Sequence, residues 1–194
     1  MLNMVKGCRI ADPSLLHEGY QRIETGYVAN VNAEKIQQIV EHFIHLQDEW
    51  VFLIIEVPTN IKDETENGSL HMDVYYLDGL KKDVAVRLLR DLGEILVHDG
   101  MSRFGFGSHS GQNEIMIGAY NVATIYSASP ERYNGMFESH GISEVPELKT
   151  AWAYFTDQTP GECRKVTYRG KTIYEIVDDL KQYGLYFAER REKF

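Results

Sequence analysis

Cysteine is scarce in this chain: Cys8 and Cys163 are the only two in 194 residues. Two thiols that far apart make no disulfide framework, and no C-x-x-C pair marks a zinc knuckle or a thioredoxin-like site. They pair only if the fold brings them together, which spacing does not show, and we read them as buried or incidental thiols of a reducing cytoplasm. Basic charge is also short. Lys and Arg total 20 against 29 Asp and Glu, a formal net charge of −9. Such a chain lacks the clustered cations that displace counterions from nucleic-acid phosphates, and anionic membranes repel it. Long apolar runs are missing too. The longest, Trp50 to Ile55, falls far below the ~20 residues that cross a bilayer, and Met1 to Arg9 lacks the apolar core of a signal peptide. The expectation is a cytoplasmic protein without nucleic-acid or membrane partners.

Catalytic signatures are absent as well. No G-x-S-x-G elbow and no G-x-x-x-x-G-K-[ST] loop occurs. Gly105, Gly107 and Gly111 give G-x-G-x-x-x-G rather than the dinucleotide spacing, and a strand follows instead of a helix N-terminus. The segment reads as a glycine-bent strand entering a hairpin.

What is present is the patterning of one globular domain, 1–194, with a poorly patterned N-terminal segment over about 1–30. Asn32 precedes apolar residues at three and four, Ile36, Ile39, Val40, Phe43 and Leu46, which predicts a helix over 33–47. Trp50 to Val57 is β-branched and nearly continuous, a central strand ended by Pro58. Residues 59–69, with Asn67-Gly68, read as a loop or hairpin connection. Residues 70–77 alternate as a strand, and a broad apolar face predicts a helix over 80–98. Strands are expected over 102–108, 114–127 and 165–168, the second broken or bulged near Gly118 or Asn121. Ser129-Pro130-Glu131 opens a helix that Gly141 ends, and 148–155 reads as helix. Thr172 and Glu175 form a capping box for a helix over 173–183. The charged tail, about 188–194, is expected to fray. The fold class is α+β: an antiparallel or mixed sheet of about five or six strands with helices packed on it.

Among chemistry-bearing residues, His109 stands out because it lies in a loop, where sites concentrate. Its neighbours Ser108 and Ser110 point to opposite faces of a strand and read as turn residues, not a nucleophile and base. His71 and Asp73 share one strand face, like an H-x-D metal pair, with no third ligand at a recognised spacing. His42 and His45 sit three apart beside the buried stripe of the first helix, a solvated edge. Two ligands hold a metal weakly, so no metal and no cofactor is expected.

The remaining signal is charge and tyrosine. Glu162 to Phe194 holds eight Lys/Arg against six Asp/Glu, which leaves −11 on the preceding 161 residues. Twelve tyrosines are present, and tyrosine buries area at an interface while keeping a polar tip. Tyr75, Tyr120 and Tyr126, with the loop acids Asp63, Glu64 and Glu66, are the candidate partner-binding residues. In composition the chain resembles small acidic, tyrosine-rich bacterial proteins without catalytic motifs, among them immunity proteins that neutralise basic toxins. The −11 over the first 161 residues, together with the missing catalytic signatures, points to a non-enzymatic binder of a basic protein. The alternative is a small-molecule site or enzyme built on the 105–111 hairpin, with His109, His71 and Asp73 as its candidate catalytic groups. The sequence sets no oligomeric state.

Overall fold

The computed structural model describes residues 1–59 and 71–192. The connection expected over 59–69, with Asp63, Glu64 and Glu66, lies outside the described residues beyond Thr59. In chain order the strands and α-helices are β1 (Cys8–Arg9), β2 (Gly19–Ile23), β3 (Gly26–Asn30), α1 (Ala33–Leu46), β4 (Trp50–Pro58), β5 (His71–Lys81), α2 (Lys82–His98), β6 (Arg103–Ser108), β7 (Asn113–Ile117), β8 (Val122–Ser127), α3 (Met136–Ser139), β9 (Glu162–Cys163), α4 (Ile173–Lys181) and β10 (Tyr186–Glu192).

Eight strands form one antiparallel sheet in the order β10-β5-β4-β6-β7-β8-β3-β2, and β1 pairs with β9 in a separate ribbon. The α+β reading holds, but five or six strands was too few. The strands that patterning missed stand at the sheet's two edges. β2 and β3 make a hairpin of five-residue strands in the segment that showed no pattern. β10 pairs with β5 where a frayed tail was expected. An edge strand can carry charge on both faces. Glu189, Arg190 and Arg191 do so, and this erases the apolar alternation that marks a strand.

Three further segments differ from expectation. Residues 165–168 are not a strand; Tyr168 and Lys171 exchange N–H···O bonds of 2.9 and 3.0 Å around the Arg169-Gly170 turn, and the paired strand is β9. The helix from Pro130 is two pieces, a 3₁₀ turn (Pro130–Tyr133) and α3, because Gly135 between them has φ 78°. In place of a helix over 148–155 there is only a 3₁₀ turn, Ala151–Tyr154. The break foreseen near Gly118 and Asn121 is real: Tyr120 and Asn121 have φ 59° and 65° and separate β7 from β8.

Helices α1 and α2 cover one face of the sheet. Ile39, Phe43, Leu89 and Ile95 meet Leu53, Ile55, Phe104, Phe106 and Ile115 in the main core, all fully or nearly fully buried. The helical periods put those residues on one stripe, and strand alternation puts their partners on one face. Tyr133 stacks on Phe43 with ring centroids 5.2 Å apart. A second, small cluster of Phe52, Ile54 and Val74, flanked by Tyr76 and Met116, consists of strand residues alone. It belongs to the opposite sheet face, on which no described helix packs.

Candidate functional site

The open face is built by register. Tyr186, Tyr76, Ile54, Gly105, Met116, Thr124, Val28 and Gln21 are successive cross-strand partners and form one row across all eight strands. A parallel row runs Phe52, Gly107, Glu114, Tyr126. The two glycines that invite a phosphate-loop reading make the floor flat. A Cβ at Gly105 would lie 2.4 Å from Met116 Sδ, and one at Gly107 would lie 2.3 Å from the Phe52 ring. Their absence lets those side chains lie across β6.

Charge gathers at one end of this face. Glu56, the single charge inside the apolar run of β4, is only 5% exposed. Arg191 Nη1 reaches its carboxylate at 3.0 Å and Arg103 Nη1 stands 3.6 Å away. Arg191 also holds Glu189, with Nε at 2.7 Å. A buried carboxylate needs such partners, since leaving it alone costs several kcal/mol, on the order of 3–5. Glu114, from β7, faces the same cleft. Among the described residues no hydrogen bond or ion pair reaches it. Burial pushes its carboxyl above the ordinary range; the Glu56 charge adds to this and the Arg191 charge opposes it. Trp152 also lines the cleft. Its segment is strapped over the sheet end by Leu148 N–H donating to Gln21 Oε1 (2.9 Å) and Asn30 Nδ2 donating to the Lys149 carbonyl (2.9 Å).

This cleft holds about 290 Å³. Glu114 and Tyr126 also line a neighbouring depression of about 420 Å³ that contains His109. The two form one groove along the open face, with Glu114 at its middle. Tyr126 is 47% exposed on its wall.

His109 stacks on Phe52 at 4.5 Å, and its Nε2 lies 2.8 Å from Asp78 Oδ1. Tyr186 donates to the other Asp78 oxygen at 2.6 Å. Burial works to raise the Asp78 carboxyl, yet the bonds from Tyr186 and His109 outweigh it and hold it below the ordinary range. No described hydroxyl hydrogen-bonds to His109. Ser108 Oγ meets Ser110 Oγ at 3.0 Å, and Ser110 donates to Asp48 at 3.3 Å, so neither serine is paired with His109 as its base.

The other candidates disperse. Asp73 accepts two bonds from Arg190, at 2.7 and 3.2 Å, and His71 stands opposite Glu192 in the β5–β10 register, so the two do not join His109. His42 faces His140, not His71. Of the tyrosines only Tyr126 is on the groove. Tyr75 sits on the helix-covered face against Phe187, with Lys181 over its ring. Tyr120, only 3% exposed, is packed between Trp152 and Phe155 and offers no surface to a partner. Tyr75, Tyr120 and Tyr126 therefore make no common surface. Sequence reasoning missed Glu56, Arg103, Glu114, Trp152 and Arg191. The available signal was Glu56 itself, a charge inside a strand buried on both faces, which demands a cation from elsewhere in the fold.

Among the described residues, no group of three or more His, Cys, Asp or Glu side chains could hold a metal ion, and no helix is long and apolar enough to cross a membrane. No protein-family model, curated protein or solved structure matches the chain.

Proposed function

We propose that this chain is a non-enzymatic binding protein of the bacterial cytosol whose open sheet face receives a basic segment of a protein partner, in an immunity- or antitoxin-like role. The observation that carries the reading is Glu114: a carboxylate set into the middle of the groove, beside the Tyr126 ring, with no counter-ion in contact among the described residues. A lysine or arginine from a partner would supply that counter-ion, and an adjacent tyrosine face favours a cation further. The net charge of −9 would steer a basic partner to the surface. A bound cation favours the ionised form of Glu114 and so opposes the upward push that burial gives its pKa.

Calorimetric titration at low salt with short arginine-containing peptides, against glutamine-substituted peptides of equal length, tests this. The wild type should bind the basic set, and Glu114→Gln should weaken binding at least about tenfold, the ~1.4 kcal/mol scale of one charge-assisted contact. Equal binding by the wild type and Glu114→Gln would sink the reading.

One observation favours a second reading, a small-molecule site: His109, oriented by Asp78, shares the groove with a carboxyl whose pKa is raised, and such a pair can divide base and acid roles. Under that reading His109→Ala abolishes ligand binding or turnover. Under the first it leaves peptide affinity nearly unchanged.

A further inference from the structure

Cys8 and Cys163, 155 positions apart, are directly opposed residues of the β1–β9 pair. The Arg164 N–H donates to the Gly7 carbonyl at 2.8 Å, which makes the two cysteines a non-hydrogen-bonded pair of the antiparallel ladder. In such pairs the Cα atoms stand about 4.5 Å apart and the side chains approach closely; a disulfide spans Cα separations of about 4.4–6.8 Å. The two sulfurs lie 3.8 Å apart. Bridging them takes a side-chain adjustment, with the backbone already in place.

Their surroundings differ. Cys8 is buried, and its sulfur accepts the Tyr120 N–H at 3.4 Å. The hydrogen bond with Cys163 and burial push the Cys8 thiol far above its ordinary range, so Cys8 is a poor first nucleophile. Cys163 is half-buried between exposed Glu162 and Arg164. From this geometry we propose that Cys8 and Cys163 form a reversible dithiol–disulfide couple that exchanges with small disulfides of the glutathione class, with Cys163 reacting first.

The Cys163 sulfur, its proton lost to solvent, attacks one sulfur of the small disulfide. That S–S bond breaks and one small thiolate leaves. The Cys8 sulfur then loses its proton and attacks the Cys163 sulfur, and the second small thiolate leaves. The protein gives up two electrons and two protons, and the small disulfide takes both and becomes two thiols. The new bond would tie β1 to β9 beside Tyr120, whose ring meets Trp152 edge-on at 5.3 Å. Trp152 walls the groove, so oxidation acts on one end of the open face. The couple itself does not depend on what that groove binds.

The full-length wild-type protein, equilibrated with a series of reduced and oxidised glutathione ratios and then alkylated, tests this by intact mass. The expected product is a monomer that has lost two hydrogens and takes no alkyl group, with a melting temperature raised by about 5–15 °C, since the bridge closes most of the chain into one loop. Cys8→Ser should trap one glutathione on Cys163, and Cys163→Ser should react at least about tenfold more slowly, as thiolate access dictates. Two alkylated thiols in the wild type under the most oxidising buffer, or disulfides only between molecules, would overturn the couple. Cys163→Ser reacting as fast as Cys8→Ser would overturn the order.

Discussion

The Asn121 side-chain carbonyl accepts the Val5 N–H at 3.0 Å, joining the N-terminal segment to the turn between β7 and β8. The Asn121 amide donates to the Asn3 and Val31 carbonyls, each at 2.8 Å, and the residue is fully buried with φ 65°. Asparagine tolerates that left-handed backbone and supplies every group the three segments need. Asn121→Ala loses three hydrogen bonds, two of them buried and one part-buried, about 1 kcal/mol each, and adds backbone strain. Urea denaturation should show a loss of about 3–5 kcal/mol, with Asn121→Gly milder than Ala because glycine keeps the φ. A loss below about 1 kcal/mol would mean that the turn does not depend on this side chain.

His42 Nδ1 and His140 Nε2 lie 3.0 Å apart where α1 meets α3. Burial, then the charges of His42 and Lys35, lower the His140 pKa. The unfolded chain takes up this proton near pH 6.5 and the folded chain only at lower pH. The contribution is therefore complete above about pH 6.5 and declines as pH falls from there through the depressed folded value. Melting temperature followed from pH 7.5 to 5 (~2.5 units spanning that window) should fall in the wild type and fall less in His140→Asn. Parallel curves would remove His140 from the account.

Adjacent leucines of α2 should behave very differently. Leu89 is wholly buried in the main core, whereas Leu88 is only half-buried against it. Leu89→Ala should cost about 2–5 kcal/mol in chemical denaturation through lost transfer energy and a cavity, and Leu88→Ala roughly 1 kcal/mol. Equal costs would place the core stripe one residue off.

Among the described residues, Arg191→Ala leaves the Glu56 carboxylate with only the more distant Arg103. Arg191 is itself half-exposed, so solvent softens the loss, and about 1–2 kcal/mol is expected. Adding Glu56→Gln should restore most of the stability, because it removes the charge that lost its partner. A double-mutant cycle with no coupling would show that the pair contributes nothing to folding.

Much of the interior is legible in the amino-acid sequence alone. Helices α1 and α2, expected over 33–47 and 80–98 and found over Ala33–Leu46 and Lys82–His98, the central strand from Trp50 and the Thr172 capping box with Glu175 all carry local sequence signals. Apolar spacing of 3.6 or 2 residues announces which face will be buried, and caps are local by construction. Edge strands escape such a reading because solvent covers one side of them: β10 carries Glu189, Arg190 and Arg191 where a buried strand would carry apolar residues. The groove and the thiol pair escape it for a different reason. Glu56 meets Arg191 across 135 positions and Cys8 meets Cys163 across 155. Composition and local pattern make each of these side chains available, but only strand order and register decide which distant groups share a face. A slip of one residue in register would turn Glu114 into the core and Ile115 into the groove.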